Sequence, residues 1–216
     1  MKNLPIHDVL DDIKKTLHTN STLILQAPPG AGKSTVVPIN LLNESWLDDD
    51  KIIIMLEPRR VAARSVATQM ARLLGQEVGQ SVGYQVKMES CFSKNTKLLV
   101  VTEAILVRKL QSDQALEDVA LIIFDEFHER SIHTDLSLSL SLQVQELLRD
   151  DLKLLIMSAT LNSKELLSLL GNVPVITSQG RTYDIENIYL PSNIKQPDFK
   201  TINTLLLNTT LKAIEN

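Results

Sequence analysis

The sequence predicts an α/β fold of the doubly wound type, a mostly parallel sheet with helices on both faces. Three observations point there. Short aliphatic and β-branched runs alternate with longer segments of helical period. Most of the short runs are apolar at every position, as strands buried on both faces are. The residues able to do chemistry gather just after those runs, where open parallel sheets bind their ligands.

In chain order, Thr22–Gln26, Ile52–Leu56, Leu98–Val101 and residues 121–124, 154–157 and 173–177 read as strands. Residues 34–42, 61–74, 103–111, 135–148 and 163–170 read as the helices between them. Beyond Gly180 the character changes. Residues 183–190 read as a strand, a proline-flanked loop spans 191–197, and a helical stretch covers about 198–214. We therefore expect residues 1–178 to form one domain and 179–216 to be a linker and the first elements of a second, truncated domain.

Composition narrows the functional classes. A chain of 216 residues can bury roughly 70% of its unfolded surface and needs no metal or disulfide to hold a core. The single cysteine, Cys91, excludes an internal disulfide framework and fits a reducing, cytoplasmic setting. A net charge of −4 excludes nucleic-acid binding by bulk positive charge, but not by a few placed arginines. The first residues hold no signal-peptide apolar run, and no uninterrupted apolar run is long enough to span a membrane.

The strongest motif is Ala27-Pro28-Pro29-Gly30-Ala31-Gly32-Lys33-Ser34-Thr35, between a strand and a helix. Gly30 and Gly32 allow successive backbone N–H groups to curl round phosphate oxygens, with Pro29, Ala31 and Thr35 completing the wall. The helix opening at Lys33 adds unpaired amides and its positive dipole end. Lys33 supplies a mobile charge for the β and γ phosphates of ATP, and Ser34 offers a hydroxyl to Mg²⁺. Ala27 stands where the strict pattern has its first glycine.

The second motif is the apolar strand ending in Asp125-Glu126-Phe127-His128-Glu129-Arg130. A strand that ends in an acidic pair completes a P-loop site. Asp125 is the expected Mg²⁺ ligand, partly through water. Glu126 is the expected acceptor of the attacking water's proton, with His128 in the same catalytic group. His128 and His133 are five apart, not the four that would put both on one helix face, which argues against zinc.

Three further segments fall in order around these two: Leu56-Glu57-Pro58-Arg59-Arg60-Val61-Ala62-Ala63, Val101-Thr102-Glu103-Ala104-Ile105-Leu106 and Ser158-Ala159-Thr160. Together the five motifs resemble the first RecA-like domain of DEAH-box helicases, over about residues 5–190. With Phe127 in place of the usual alanine, the set looks most like the bacterial HrpB type. The resemblance implies an ATP- and Mg²⁺-dependent motor acting on RNA or single-stranded nucleic acid. It places Arg59, Arg60 and Thr102 against the nucleic-acid backbone, and it gives Ser158 and Thr160 the coupling of hydrolysis to strand separation. Two adjacent arginines after a strand end also suit a local phosphate clamp. Gln69 stands where relatives often carry an adenine-stacking arginine, so stacking on the base is not expected from that position.

The resemblance also implies a second RecA-like domain, absent from this chain, whose arginine fingers are worth about 10³–10⁵ in rate. The chain alone is therefore expected to hydrolyse ATP poorly. A DNA-acting helicase or other P-loop ATPase, and a non-catalytic nucleotide- or RNA-binding module, are the alternatives that the sequence leaves open.

Overall fold

The computed structural model describes residues 4–160 and 170–180, together with Thr210. The chain divides into two compact units, Met1–Arg181 and Thr182–Asn216, and the whole sheet belongs to the first. The segments with the sequence pattern of helix 163–170, strand 183–190 and helix 198–214 lie outside the described residues, apart from Leu170 and Thr210, both helical.

The elements are β1 (Thr22–Gln26), β2 (Ile52–Leu56), β3 (Val82–Val86), β4 (Glu89–Cys91), β5 (Leu98–Val101), β6 (Val119–Phe124), β7 (Lys153–Ser158) and β8 (Val175–Thr177). The helices are α1 (Leu10–Thr19), α2 (Lys33–Asn40), α3 (Arg60–Leu73), α4 (Glu103–Ser112) and α5 (Ile132–Leu147), with a 3-10 turn, Pro5–Val9, before α1. The strands form one sheet in the order β4-β3-β5-β2-β6-β7-β1-β8. Every pairing is parallel except the β3–β4 hairpin.

Alternation along the strands explains why they are apolar throughout. Leu23, Leu25, Ile53, Met55, Leu121, Ile123, Leu155 and Met157 point to the face covered by α1, α2 and α3. Ile24, Ile54, Leu56, Ile122, Phe124, Leu154 and Ile156 point to the face covered by α4 and α5. Each such side chain, fully buried, contributes about 1.5–3 kcal/mol relative to exposure. The sheet thus carries two cores and presents its strand ends as a rigid edge.

Three features differ from the sequence expectation. Residues 10–19 form α1, on a spacing of Ile6, Leu10, Ile13 and Leu17 that gives one buried face. The β3–β4 hairpin is an addition to the expected strands; its turn carries Met88 at φ 66°. Helix α5 begins three residues before the expected 135, because Ser131 caps it by accepting the Thr134 N–H at 3.0 Å.

Candidate nucleotide site

The strand order puts the carboxyl ends of β1, β7 and β6 side by side. The phosphate loop leaves β1, the Ser158 segment leaves β7 and the acidic segment leaves β6. Asp125 and the loop are thus separated by a single strand.

In the loop, Gly30 and Gly32 take φ values of 76° and 98°. Gly32 caps α2 in the left-handed region, and a Cβ there would meet methyls of Ile6 and Leu4 at 3.0 Å. The Ile6 N–H donates to Ala31 O at 3.2 Å, so the N-terminal turn backs the loop. Ala27 is fully buried, keeps a negative φ and donates its N–H to Ser158 O at 3.0 Å. A glycine is not required at that position. Pro29 and Gly30 are exposed at the rim, and Ser34 and Thr35 are half-buried in the first turn of α2.

Lys33 is 4% exposed. Its Nζ meets Glu126 Oε1 at 2.7 Å, so the two motifs close on one another. Asp125 is 1% exposed; its Oδ1 accepts the Glu126 N–H at 2.8 Å. Its Oδ2 is buried with no hydrogen-bond partner. Burial pushes the Asp125 carboxyl up to about 6 and the Glu126 charge adds to this, while neighbouring Ser34 and Lys33 pull it down. Ser34 stands beside the carboxylate, yet no hydroxyl hydrogen bond of ordinary geometry closes on Oδ2.

Glu126 has φ 48° and ψ 36°, left-handed for a non-glycine residue. His128 Nε2 lies 3.4 Å from Glu126 Oε2, and its Nδ1 accepts the Ala159 N–H at 3.3 Å. The imidazole therefore bridges the acidic pair to the segment after β7. There Ser158 donates its hydroxyl to Thr160 O at 2.6 Å and is nearly buried.

Motif spacing alone misses Glu57. The register pairs Leu56 with Phe124, so Glu57 emerges beside Asp125. It is 5% exposed, and burial first, then the charges of Asp125, Glu126 and Glu129, raise its carboxyl to about 8. No sequence signal points to it, because its acidic neighbours gather only through the β2–β6 register.

The residues expected at nucleic acid lie on the other half of the same edge, after β2 and β5. Arg59 Nη2 meets Glu129 Oε1 at 2.7 Å, and Arg60 Nη2 donates to Lys87 O at 2.9 Å. Both arginines thus have partners within the chain, more than the free phosphate clamp the sequence suggests. Thr102 follows β5 and caps α4 with no side-chain cap bond, and is 8% exposed. Gln69 is exposed on α3.

The donor set fits a divalent cation. A buried orphan carboxylate oxygen, a neighbouring hydroxyl and an excess of acid over one buried lysine are what a hard, oxygen-seeking ion such as Mg²⁺ requires. No helix among the described residues is long and apolar enough to cross a membrane.

The family model for DEAD/DEAH box helicases matches residues 10–169. The ATP-dependent RNA helicase HrpB of Escherichia coli K12 is 48% identical over 191 residues, 88% of this chain and 23% of that protein. The ATP-dependent RNA helicase HrpA of Borreliella burgdorferi is 35% identical over 188 residues, 87% of this chain and 23% of that one. The crystal structure of the Escherichia coli DEAH/RHA helicase HrpB superposes with a TM-score of 0.86 at 44% identity, covering 98% of this chain and 27% of that one. The chain spans about a quarter of the length of the relatives it matches. With a family match over most of its length and a phosphate loop closed on an acidic pair, the chain belongs to the DEAD/DEAH box helicase family.

Proposed function

We propose that this chain is the ATP-binding motor domain of an ATP-dependent RNA helicase, coupling hydrolysis to movement along a single strand. The observation that carries the reading is the 2.7 Å contact of Lys33 with Glu126 beside the orphaned Oδ2 of Asp125. The lysine and the expected proton acceptor neutralise each other in direct contact.

When ATP enters, its phosphates compete with Glu126 for the Lys33 ammonium. Asp125 and Ser34 would hold Mg²⁺, which would supply neutralising charge to the phosphate oxygens. Glu126, released from Lys33, then orients the attacking water and accepts its proton. The amides around Gly30 and Gly32 cradle the phosphates, and His128 keeps Glu126 in register with Ser158-Ala159-Thr160. Arg59, Arg60 and Thr102 hold the strand backbone on the other half of the edge, and a second RecA-like domain closes the site.

Replacement of Glu126 by Gln tests the assignment in the protein expressed from its full reading frame. It should retain MgATP binding and lower turnover about 10²–10⁴-fold, the range of a general base. Turnover within a few-fold of wild type would remove Glu126 from the reaction.

A further inference from the structure

Glu103 lies outside every role assigned so far, yet it joins the two halves of the edge. It is the first residue of α4 and follows Thr102 directly. Its Oε1 accepts two hydroxyl hydrogen bonds, from Ser131 Oγ and from Thr134 Oγ1, each at 2.6 Å. Both donors belong to the start of α5, and Ser131 follows Arg130, the last residue of the acidic segment. Two short charge-assisted bonds to one oxygen make a stiff link.

Helix capping does not account for it. The Thr134 N–H is already satisfied by Ser131 Oγ at 3.0 Å, so α5 is capped without Glu103. Glu103 bonds only the hydroxyls. At the other end of the link, Thr102 O accepts the N–H groups of Ile105 and Leu106, at 2.9 and 3.3 Å. Thr102 and the first turn of α4 therefore move as one body.

The acidic segment is poised to respond. Glu126 and Arg130 have φ values of 48° and 43°, a left-handed conformation that strains non-glycine residues and persists only where the surroundings hold it. At the front, Lys33 holds Glu126. At the rear, Arg130 makes paired bonds to Asp135 at 3.0 and 2.9 Å and lies 5.5 Å over the Phe127 ring. The adjoining Ser131 is held by Glu103. Release of the rear anchor lets the strain relax toward Glu126.

We propose that Glu103 is a positioning residue that transmits engagement of a nucleic-acid strand at Thr102, through Ser131 and Thr134, to the segment carrying Glu126. The inference rests on the nucleic-acid reading of Thr102.

The test uses the protein expressed from its full reading frame, with steady-state ATPase measured with and without a single-stranded oligouridine. Glu103→Ala should leave basal turnover within about twofold and lower the RNA-stimulated rate about tenfold, inside the usual span of coupling between sites. Oligouridine affinity without nucleotide should stay within about threefold. Glu103→Gln, which keeps an acceptor at Oε1, should recover part of the stimulation. Should Glu103→Ala fold poorly by thermal melt, Ser131→Ala with Thr134→Val removes the same bonds from the donor side and carries the same expectation. Full stimulation in these variants, or a basal rate that falls in step with the stimulated one, overturns the inference. Thr102→Ala separates the two levels. If it weakens oligouridine binding while Glu103→Ala keeps its stimulation, only the inference fails. If it leaves binding and stimulation untouched, the strand reading of Thr102 fails and takes the route with it.

Discussion

In magnesium-free buffer, Asp125→Asn should stabilise the domain at alkaline pH and cease to do so in acid. The Asp125 carboxyl is raised from 3.8 to about 6, chiefly by burial. Two units correspond to about 3 kcal/mol. For a raised carboxyl the sign runs against the charged form. Below about pH 4 folded and unfolded chains both carry the proton, and burial costs nothing extra. Between about 4 and 6 the unfolded chain releases its proton while the folded one retains it, so stability falls. Above about 6 the whole cost of about 3 kcal/mol is present. Asparagine carries no charge at any pH and keeps an oxygen for the Glu126 N–H. Its NH₂ takes the place of Oδ2, which has no partner, at a cost of about 1–2 kcal/mol. The variant should then gain about 1–2 kcal/mol at pH 8; near pH 4.5, where the wild-type cost has fallen to about 1 kcal/mol, it should be level with wild type or up to about 1 kcal/mol less stable, and its ATPase activity should disappear. Urea unfolding at the two pH values measures both. A difference between variant and wild type that does not change with pH would refute the reasoning.

The same geometry makes three other outcomes testable. Lys33→Ala should abolish phosphate binding with the fold intact; an ADP titration equal to wild type, by calorimetry, rejects the assigned role. Alanine at both Arg59 and Arg60 should weaken binding to single-stranded RNA and lower the slope of log K against log salt by about 1.4, two phosphates' worth. An unchanged slope means that neither arginine meets the strand. Glu57→Gln should gain stability relative to wild type as pH rises from 4.5 toward about 8, the window over which the unfolded carboxyl ionises and the buried one does not. A melting-temperature difference that stays flat across that window contradicts a raised Glu57.

The strands are legible where burial on both faces writes itself into composition: β1, β2 and β5 fall on the residues their apolar runs mark. Helix α1 carries a readable stripe at Ile6, Leu10, Ile13 and Leu17, but no motif adjoins it to draw the eye there. The β3–β4 hairpin gives little to read. Gly83 interrupts β3, and β4 is three residues long at the sheet edge. Lys33, Ser34, Asp125 and Glu126 are legible because the proposed phosphate and metal chemistry demands those side chains at fixed distances from a strand end. Glu57 and Glu103 are not, because their surroundings exist only in three dimensions. Glu57 needs the β2–β6 register to stand beside Asp125. Glu103 needs α4 and α5 to meet before its carboxylate finds Ser131 and Thr134.

The sheet order also bears on how two ligands could act on one another. Residues proposed for nucleotide follow β1, β7 and β6, those proposed for the strand follow β2 and β5, and the boundary runs between β6 and β2. Arg59–Glu129 crosses that boundary, with the arginine side chain 72% exposed. Exposed pairs are worth about 0–1 kcal/mol, so a strand phosphate displaces Glu129 at little cost and leaves as readily. Lys33–Glu126 is different. The lysine side chain is 5% exposed, and an unpaired ammonium there would cost several kcal/mol. A phosphate-bearing ligand, with several charged oxygens, is the kind of partner that can replace Glu126 there. Both displaced carboxylates, Glu126 and Glu129, sit on one short segment bounded by the two left-handed residues Glu126 and Arg130. On the proposed function, the cheap exchange would sample strands repeatedly while the costly one would commit the site to hydrolysis, and the shared segment is where each exchange would be felt by the other.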